Sequence, residues 1–407
     1  MDILHCDLNN FYASVECAEN PKLYGKFVAV SGNPEHRHGI ILAKNTLAKQ
    51  MGVKTGEAIW QAKQKCPELI CVPPHFDLYV HYSHRVREIY SRYTDLIQSF
   101  GLDECWLDVT NSKVFGTPTE IADRLRKEVR EETGLTISVG VSFNKVFAKL
   151  GSDLKKPDAT TVITRDNYKD IVWPLEAQEM LFIGSKTQQK LRSMGIVTIG
   201  DLANASPLVL KRVFGINGEK IRRCASGLDE EKVDSNSHVQ TVKSVGHGTT
   251  TLRDMKTYAD AEKVIAYLSE MVATRLRRYG MQCNTVHLSL RFNDLSHIGK
   301  QCKVHTTCVA QEISSASVGM LHSLWNPANQ LPLRSLSVTA GNLVEVGNCL
   351  QMSLFQIQDE KKQRLEFSLD QIRKKYGFTA ITRANFIGND LISDKFCGEE
   401  DLLPFKR

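Results

Sequence analysis

Two adjacent carboxylates at the start of a strand-like run constrain this chain more than any other feature. After a turn at Gly101, Asp103 and Glu104 lead into an alternating run of apolar and polar residues that ends at Val109. This pattern predicts a β-strand. Acidic residues have low strand propensity, and two neighbouring ionised carboxylates repel each other and resist desolvation. A divalent cation would offset both costs, and hard oxygen ligands suit Mg²⁺.

A third carboxylate belongs to a second apolar run, at the beginning of the sequence. Residues 3–8 predict a strand that carries Asp7 near its end. Two strands of one sheet, each ending in acid, could hold two metal ions, and such sites clamp both oxygens of an in-line phosphoryl displacement. The alternative is that Asp103 and Glu104 form an acidic turn without a metal. We favour the metal site, with Asp7, Asp103 and Glu104 as its catalytic carboxylates.

The composition limits the class of protein. The 407 residues, 42% of them hydrophobic and 24% charged, are typical of a globular chain of about two to four domains. The net charge of +6 permits a polyanionic partner without requiring one. Eleven cysteines without C-x-x-C pairs, and no signal peptide, predict reduced thiols in the cytoplasm. No apolar run approaches the ~20 residues of a membrane span.

Local patterns give further expectations about secondary structure. Helical spacing of apolar residues predicts a helix over 81–98 and a shorter one over 369–376. Thr117 and Glu120 form a capping box around Pro118, which predicts a helix that stops at Gly134. Strands with two helices on one face favour an α+β arrangement. The segment 302–308 has a faint zinc-ligand spacing, but its alternation fits a strand better.

Several motifs together carry a resemblance to a known family. Asp7 is followed by Phe11–Glu16, Asp103-Glu104 by Trp106–Thr110, and the chain continues with Val139–Lys149 and Lys155-Lys156-Pro157. This set resembles the Y-family translesion DNA polymerases, and within them the DNA polymerase IV branch. The likeness runs from residue 1 to about residue 350. It implies an α+β right-hand fold: palm (1–18 and 76–165), fingers (19–75), helical thumb (166–232), linker (233–241), little finger (242–349) and a C-terminal tail (350–407).

The resemblance also implies roles for particular residues. Asp7, Asp103 and Glu104, helped by the Leu8 carbonyl, would bind two Mg²⁺ ions. Phe11 and Tyr12 would lie beneath the incoming nucleotide, with Tyr12 as the steric gate against a 2′-hydroxyl, and Lys156 would hold the β- and γ-phosphates.

The fingers depart from the family pattern. Family members place a Tyr and an Arg on the triphosphate, and this sequence has Thr46 and Lys49 there. Compared with the usual Arg, Lys49 keeps the positive charge but cannot form a bidentate hydrogen bond. Compared with the usual Tyr, Thr46 keeps a hydroxyl group but has a shorter side chain. A solvated helix face at Lys49 remains the alternative.

Glycine-containing hairpins predict contacts to DNA in the thumb. Residues 181–196 and 213–220 resemble helix-hairpin-helix units, whose backbone N–H groups meet phosphates without reading bases. The predicted contacts are Gly184, Gly215 and Gly218, and Ser185 stands where a further Gly is usual. In the little finger, two βαβ-like halves would lie over duplex DNA, with Arg275 and Arg291 as phosphate contacts.

The segment 351–355 resembles the peptide by which bacterial polymerases dock on the sliding clamp. Gln351 would anchor it by hydrogen bonds, and Leu354 and Phe355 would fill a pocket. Two alternatives remain: these residues continue the last little-finger strand, or residues 402–405 form the true dock.

These expectations combine into one functional prediction. The chain would be a monomeric, template-directed, low-fidelity DNA polymerase for translesion synthesis, without a proofreading exonuclease. Its partners would be primer–template DNA, deoxynucleoside triphosphates and the bacterial sliding clamp, with no membrane. The alternatives are another palm enzyme such as a nucleotide cyclase, or a non-enzymatic scaffold bound to DNA.

Overall fold

The computed structural model describes residues 1–33, 39–234, 242–346, 360–377, 380–386, 388 and 390–392. These residues form two compact units. The first holds the described residues of 1–32 and 40–234, and the second holds Asn33, Gly39 and the described residues of 242–392. The linker predicted at 233–241 lies mostly outside the described residues and stays a prediction. None of the described helices is long and apolar enough to cross a bilayer.

The first unit contains two sheets and a helical region. Its elements, in chain order, are β1 (Ile3–Leu8), α1 (Phe11–Glu19), β2 (Val28–Ser31), β3 (Ile41–Lys44), α2 (Thr46–Gln50), α3 (Ile59–Lys65), β4 (Ile70–Val72), α4 (Phe76–Ser91), β5 (Ile97–Phe100), β6 (Glu104–Asp108), α5 (Pro118–Thr133), β7 (Ile137–Ser142), α6 (Lys145–Leu154), β8 (Thr160–Ile163), α7 (Tyr168–Val172), α8 (Ser185–Ser193), α9 (Ile199–Asn204), α10 (Pro207–Phe214) and α11 (Ile216–Ala225).

The larger sheet has the order β5-β6-β1-β7-β8. Strand β1 is central and antiparallel to both neighbours, whereas β7 and β8 are parallel. The strand β1 is buried along its whole length, and α4 and α5 supply apolar side chains to the same core. This arrangement confirms the α+β expectation and places both acidic strands side by side.

One helix prediction in this unit is wrong and another is confirmed. The helix expected over 81–98 is α4, which ends at Ser91, because Ile97 pairs with Leu107 and residues 97–100 become the edge strand β5. Ile97 would be buried both in a longer helix and in the strand, so the spacing of apolar residues could not distinguish a helix from a strand at this position. The capping box is confirmed: Thr117 accepts from the Glu120 N–H, and Gly134 ends α5 in the left-handed conformation, with φ 71°.

A smaller sheet, β3-β2-β4, carries α2 and α3 around its own apolar cluster. Helices α7 to α11 share a further core with α6 and β8, which includes Leu191, Ile199, Leu210 and Ile221. This confirms the helical expectation for residues 166–232.

The second unit is a four-stranded sheet with helices packed against one face. Its elements are β9 (Ser244–Met255), α12 (Tyr258–Arg278), β10 (Met281–Phe292), β11 (His297–Thr307), α13 (Ala310–Leu324), β12 (Leu333–Glu345) and α14 (Glu360–Tyr376). The order is β11-β10-β12-β9, with antiparallel neighbours throughout. Each helix therefore links two strands that flank a third, which confirms the two βαβ-like halves. Cys302 and His305 lie in β11 at positions of opposite parity, so they do not share a face.

Helix α14 begins at Glu360, nine positions before the helix predicted over 369–376. It packs on α12 through buried charges: Arg277 contacts Glu366 at 2.9 Å and Asp370 at 2.5 Å, and Arg373 contacts Glu270 at 2.7 Å. Farther along, Leu391 and Ile392 join the core of this unit.

The predicted clamp segment lies outside the described residues. Gln351, Leu354 and Phe355 belong to the gap between β12 and α14, and the alternative dock at 402–405 also lies outside the described part. Both therefore stay predictions.

Candidate active site

The three predicted carboxylates come together at one end of the larger sheet. Asp7 and Glu104 are directly paired across β1 and β6, and the Leu8 N–H donates to the Asp103 carbonyl at 3.0 Å. Asp7 is only 4% exposed, and Asp103 and Glu104 are half-buried. Antiparallel pairing thus places two carboxylates on facing strands and the third beside them, as the strand patterns predicted.

Two lysines contact these carboxylates. Lys149 Nζ lies 2.8 Å from Glu104 Oε1 and 3.2 Å from Asp7 Oδ2, and Lys156 Nζ lies 2.6 Å from Asp7 Oδ2. Both ammonium groups also contact Asp153. Lys156 was expected on a phosphate, and in this structure it is held by Asp7. Lys149 was not predicted as a site residue. Its position four residues before Asp153 would have indicated an ion pair on one helix face.

The pKa values of the carboxylates separate strongly. Burial, together with repulsion from Glu104 and Asp7, raises the pKa of Asp103 to about 6. Burial also raises the pKa of Asp7, and the two lysines only partly oppose this. Burial resists ionisation of Glu104 as well, but His5 and Lys149 more than offset it and lower its pKa to about 2. Concentrated negative charge of this kind favours a bound cation.

His5 supports Glu104 from inside the sheet and was missed from the sequence. Its ring is fully buried, its Nδ1 lies 2.9 Å from Ser152 Oγ, and its Nε2 lies 3.5 Å from Glu104 Oε2. Burial lowers the pKa of His5, so the neutral ring is favoured. The sequence could have indicated this, because alternate residues of a strand share a face and His5 lies two positions before Asp7.

A glycine contact fixes the helix that carries Lys149. A Cβ at Gly140 in β7 would lie 1.9 Å from the Ala148 carbonyl oxygen and 2.5 Å from the Ser152 nitrogen, both in α6. A Cβ at Gly151 would in turn lie 3.1 Å from the Gly140 Cα. The strand and the helix therefore approach as closely as two backbones can, which only glycine permits.

The donor set fits a hard divalent cation. Within the described ranges, no group of three or more His, Cys, Asp or Glu side chains is arranged as a metal site, and Lys149 and Lys156 contact the carboxylates in this structure. The donors are nevertheless all oxygens, they carry mutually repelling charges, and Asp103 keeps a raised pKa despite the charge of Lys149. Oxygen-only, highly charged donors suit Mg²⁺.

An aromatic stack lies next to the carboxylates. The ring of Tyr12 stacks on Tyr79 with centroids 4.1 Å apart and an interplanar angle of 10°, and Phe76 contacts both rings edge-on. The Tyr79 hydroxyl donates to Glu16 at 2.5 Å, which fixes the lower ring. Phe11 is only 4% exposed and packs in the core beneath Tyr12, so Tyr12 is the ring that faces outward.

The two atypical fingers residues lie at the start and end of α2. The Asn10 side chain donates to the Thr46 hydroxyl at 3.0 Å, which joins this short helix to the beginning of α1. Lys49 is exposed. Burial and the positive charge of Lys49 lower the pKa of Lys44.

Residues 6–153 match the impB/mucB/samB family, and residues 242–354 match the C-terminal domain of that family. The DNA polymerase IV of Acetivibrio thermocellus is 44% identical over 387 residues, which cover 94% of this chain and 96% of that protein. The DNA polymerase IV 1 of Bacillus subtilis is 35% identical over 94% of this chain and 92% of its own length. The chain belongs to the DNA polymerase IV family.

Members of this family are Y-family, DNA-directed DNA polymerases, and this chain is one of them. A solved Y-family polymerase chimera, Dbh-Dpo4(243-245)-Dbh, superposes with a TM-score of 0.75 at 24% identity, covering 85% of this chain and 100% of the chimera. An insertion ternary complex of Dbh DNA polymerase gives a TM-score of 0.58 at 24% identity, with the same coverage. These likenesses confirm the fold, and the membership decides against the cyclase and scaffold alternatives.

The thumb glycines have different structural roles in this DNA polymerase IV relative. Gly184 precedes α8, and a Cβ there would meet nothing within 4 Å, whereas Gly215 precedes α11 with φ 62°. A Cβ at Gly218 would lie 2.2 Å from the Leu210 carbonyl oxygen, so this glycine permits the contact between α10 and α11. In the first hairpin, Gly195 and Phe182 both have positive φ, 77° and 74°, and Phe182 is the residue of the two that carries a side chain, whereas Ser185 is simply the first residue of α8.

The two predicted arginine contacts in the second unit also differ. Arg291 is exposed and lines an open basin of about 550 Å³ on the sheet, together with His297, Ser289 and Ser335. Arg275 is half-buried and donates to the Gly246 carbonyl at 3.0 Å, which ties α12 to β9. Arg291 is therefore better placed for a phosphate than Arg275.

Proposed function

We propose that this chain extends primer–template DNA with deoxynucleoside triphosphates, at low fidelity and past damaged bases, by two-metal phosphoryl transfer. The observation that carries the proposal is the cluster of Asp7, Asp103 and Glu104 at the paired ends of β1 and β6, with Lys149 and Lys156 beside it.

The carboxylates and the Leu8 carbonyl are the cation ligands in this proposal. Bound Mg²⁺ ions would activate the primer 3′-hydroxyl and neutralise the triphosphate and the leaving pyrophosphate. Asp103, whose pKa is about 6, must ionise to bind a cation. The Lys156 ammonium, 28% exposed in its side chain, would leave Asp7 and donate to the β- and γ-phosphates.

The sugar would lie over the outward ring of Tyr12. Because Tyr79 stacks beneath this ring, Tyr12 cannot retreat from a 2′-hydroxyl, and ribonucleotides would collide with it. Thr46 and Lys49 would meet the triphosphate from the fingers. The Asn10 bond holds Thr46 close to the start of α1, and Lys44 adds a second positive charge nearby.

The thumb hairpins and the open sheet face would hold the DNA. Gly184 and Gly215 leave helix N-termini accessible, and Arg291 lies among serine and histidine side chains that can donate to phosphates. The sliding clamp, docked through residues 351–355, would supply processivity to a monomeric polymerase that lacks a proofreading exonuclease.

A magnesium-dependent primer-extension assay tests this function. Asp103→Ala should abolish nucleotide addition while DNA binding, measured by fluorescence anisotropy, stays nearly intact. Glu131→Ala is the matched control, because this carboxylate is 61% exposed in its side chain and lies on α5. Normal extension by Asp103→Ala would show that the carboxylate cluster is not the catalytic site.

A further inference from the structure

The first thumb hairpin contains a bulky residue in a conformation that normally requires glycine. Phe182 has φ 74°, in the left-handed region, where a Cβ meets the following carbonyl oxygen. In the second hairpin the residue with positive φ is Gly215, with φ 62° and ψ −141°, a conformation that glycine adopts without strain. A glycine therefore takes up the positive φ in the second hairpin, whereas a phenylalanine does so in the first.

The Phe182 side chain does not explain this strain by packing. It is 55% exposed, whereas its neighbours Met180 and Ile183 are buried in the thumb core. Lys220 of α11 lies over the ring, with its ammonium 4.8 Å from the ring centroid. An exposed cation–π contact is among the weaker stabilising interactions, so it is a poor reason to retain a strained phenylalanine.

A reciprocal pair connects the two hairpins. Lys190 of α8 lies 5.5 Å from the ring centroid of Phe214, the residue before Gly215. Each hairpin thus presents an aromatic ring next to its turn, and each ring is covered by a lysine from the other hairpin. Both lysines are exposed. The side chains of Phe182, Lys190, Phe214 and Lys220 therefore connect the two hairpins.

We propose that Phe182 is a DNA contact: its ring packs on a deoxyribose of the bound duplex, and Lys220 donates to the adjacent phosphate. Strained, exposed residues concentrate at binding sites, and a ring flanked by an ammonium group matches the alternation of sugar and phosphate along a strand. This inference rests on the proposed function, because it requires that the thumb binds primer–template DNA.

The substitution Phe182→Gly separates a DNA contact from a structural role. Glycine removes the left-handed strain and copies the second hairpin, so the melting temperature should stay equal or rise. Loss of the contact that the Phe182 ring makes with DNA in the complex should weaken binding to primer–template DNA about five- to tenfold. Tyr24→Ala, which removes an aromatic ring with 61% exposure from the fingers, should leave affinity unchanged.

The salt dependence of binding distinguishes the two contacts. DNA affinity is measured by fluorescence anisotropy between about 50 and 200 mM salt. Over this range each ionic contact to a phosphate contributes about 0.9 to the slope of log K against log salt. Phe182→Gly should lower affinity without changing the slope, because it removes no charge. Lys220→Gln should lower affinity and reduce the slope of log K against log salt by about 0.9.

Two results would overturn the inference. Unchanged DNA affinity in Phe182→Gly would show that the ring does not touch DNA, and a lower melting temperature in that variant would assign it to the fold. Neither result affects the proposed function, which is tested separately by Mg²⁺-dependent primer extension with the unmodified chain and with Asp103→Ala.

Discussion

The contact between Gly140 and α6 gives a sharp test of how the lysines are held at the active site. Substituting Gly140→Ala would introduce a Cβ 1.9 Å from the Ala148 oxygen and 2.5 Å from the Ser152 nitrogen. Both are backbone atoms of α6, so no side-chain rotation can relieve the overlap. The helix would have to move away from β7, and it carries Lys149.

The size of the effect follows from these distances. Ordinary contacts of a Cβ begin at 3.4 Å, so α6 must retreat by about 1.5 Å. Overpacking of this kind costs about 1–3 kcal/mol, and in a unit of this size each kcal/mol lowers the melting temperature by about 2–4 °C. A misplacement of about 1 Å at a catalytic group can reduce the rate about 100-fold.

Single-turnover primer extension and thermal unfolding measure the two effects. Gly140→Ala should lose about two orders of magnitude in rate and melt several degrees lower. Gly319→Ala is the matched control: this glycine lies in α13 with no atom within 4 Å of the added Cβ, so alanine should stabilise by about 0.5–1 kcal/mol. A Gly140→Ala variant with full rate and stability would refute the idea that this contact positions Lys149.

Three further predictions concern sugar selection, acid stability and processivity. Tyr12→Ala should raise ribonucleotide incorporation by at least about tenfold, measured as the ratio of ribonucleotide to deoxynucleotide efficiency; an unchanged ratio would exclude the gate. A hydrogen bond from Arg253 lowers the pKa of Asp260, so this stabilisation is complete above the ordinary pKa near 4 and is lost as pH falls through the lowered value. Arg253→Gln should therefore flatten the acid limb of the melting-temperature profile, and an unaltered limb would contradict this. Leu354→Ala combined with Phe355→Ala should abolish clamp-stimulated product length but not clamp-free extension; persisting stimulation would move the dock elsewhere.

The parts of the fold that follow from local chemistry were predictable. The acidic strands, the capping box before α5 and the glycine stop at residue 134 each depend on residues within a few positions of one another, and the structure has all three. The edge strand β5 was not predictable, because Ile97 satisfies helical spacing and only its pairing with Leu107 decides between the two structures. Long-range pairing overrode the local pattern there.

The missed site residues have a similar explanation. Lys149 and His5 acquire their roles from contacts with residues more than 40 positions away, Glu104 in both cases. Phe182 was missed because nothing in the local sequence shows a left-handed backbone at a phenylalanine. The expectation for the first hairpin concerned Ser185, which is the first residue of α8, whereas the positive φ belongs to Phe182.

The buried charges between α12 and α14 affect how this polymerase can be dissected. Arg277 and Glu270 are almost inaccessible, and their partners Glu366, Asp370 and Arg373 all follow the predicted clamp segment in the chain. Removing everything after residue 346 would therefore leave two uncompensated charges in the interior of the unit, at a high cost in stability. Helix α14 is not a detachable module, so a shortened protein that lost clamp response would report a damaged domain as readily as a missing peptide.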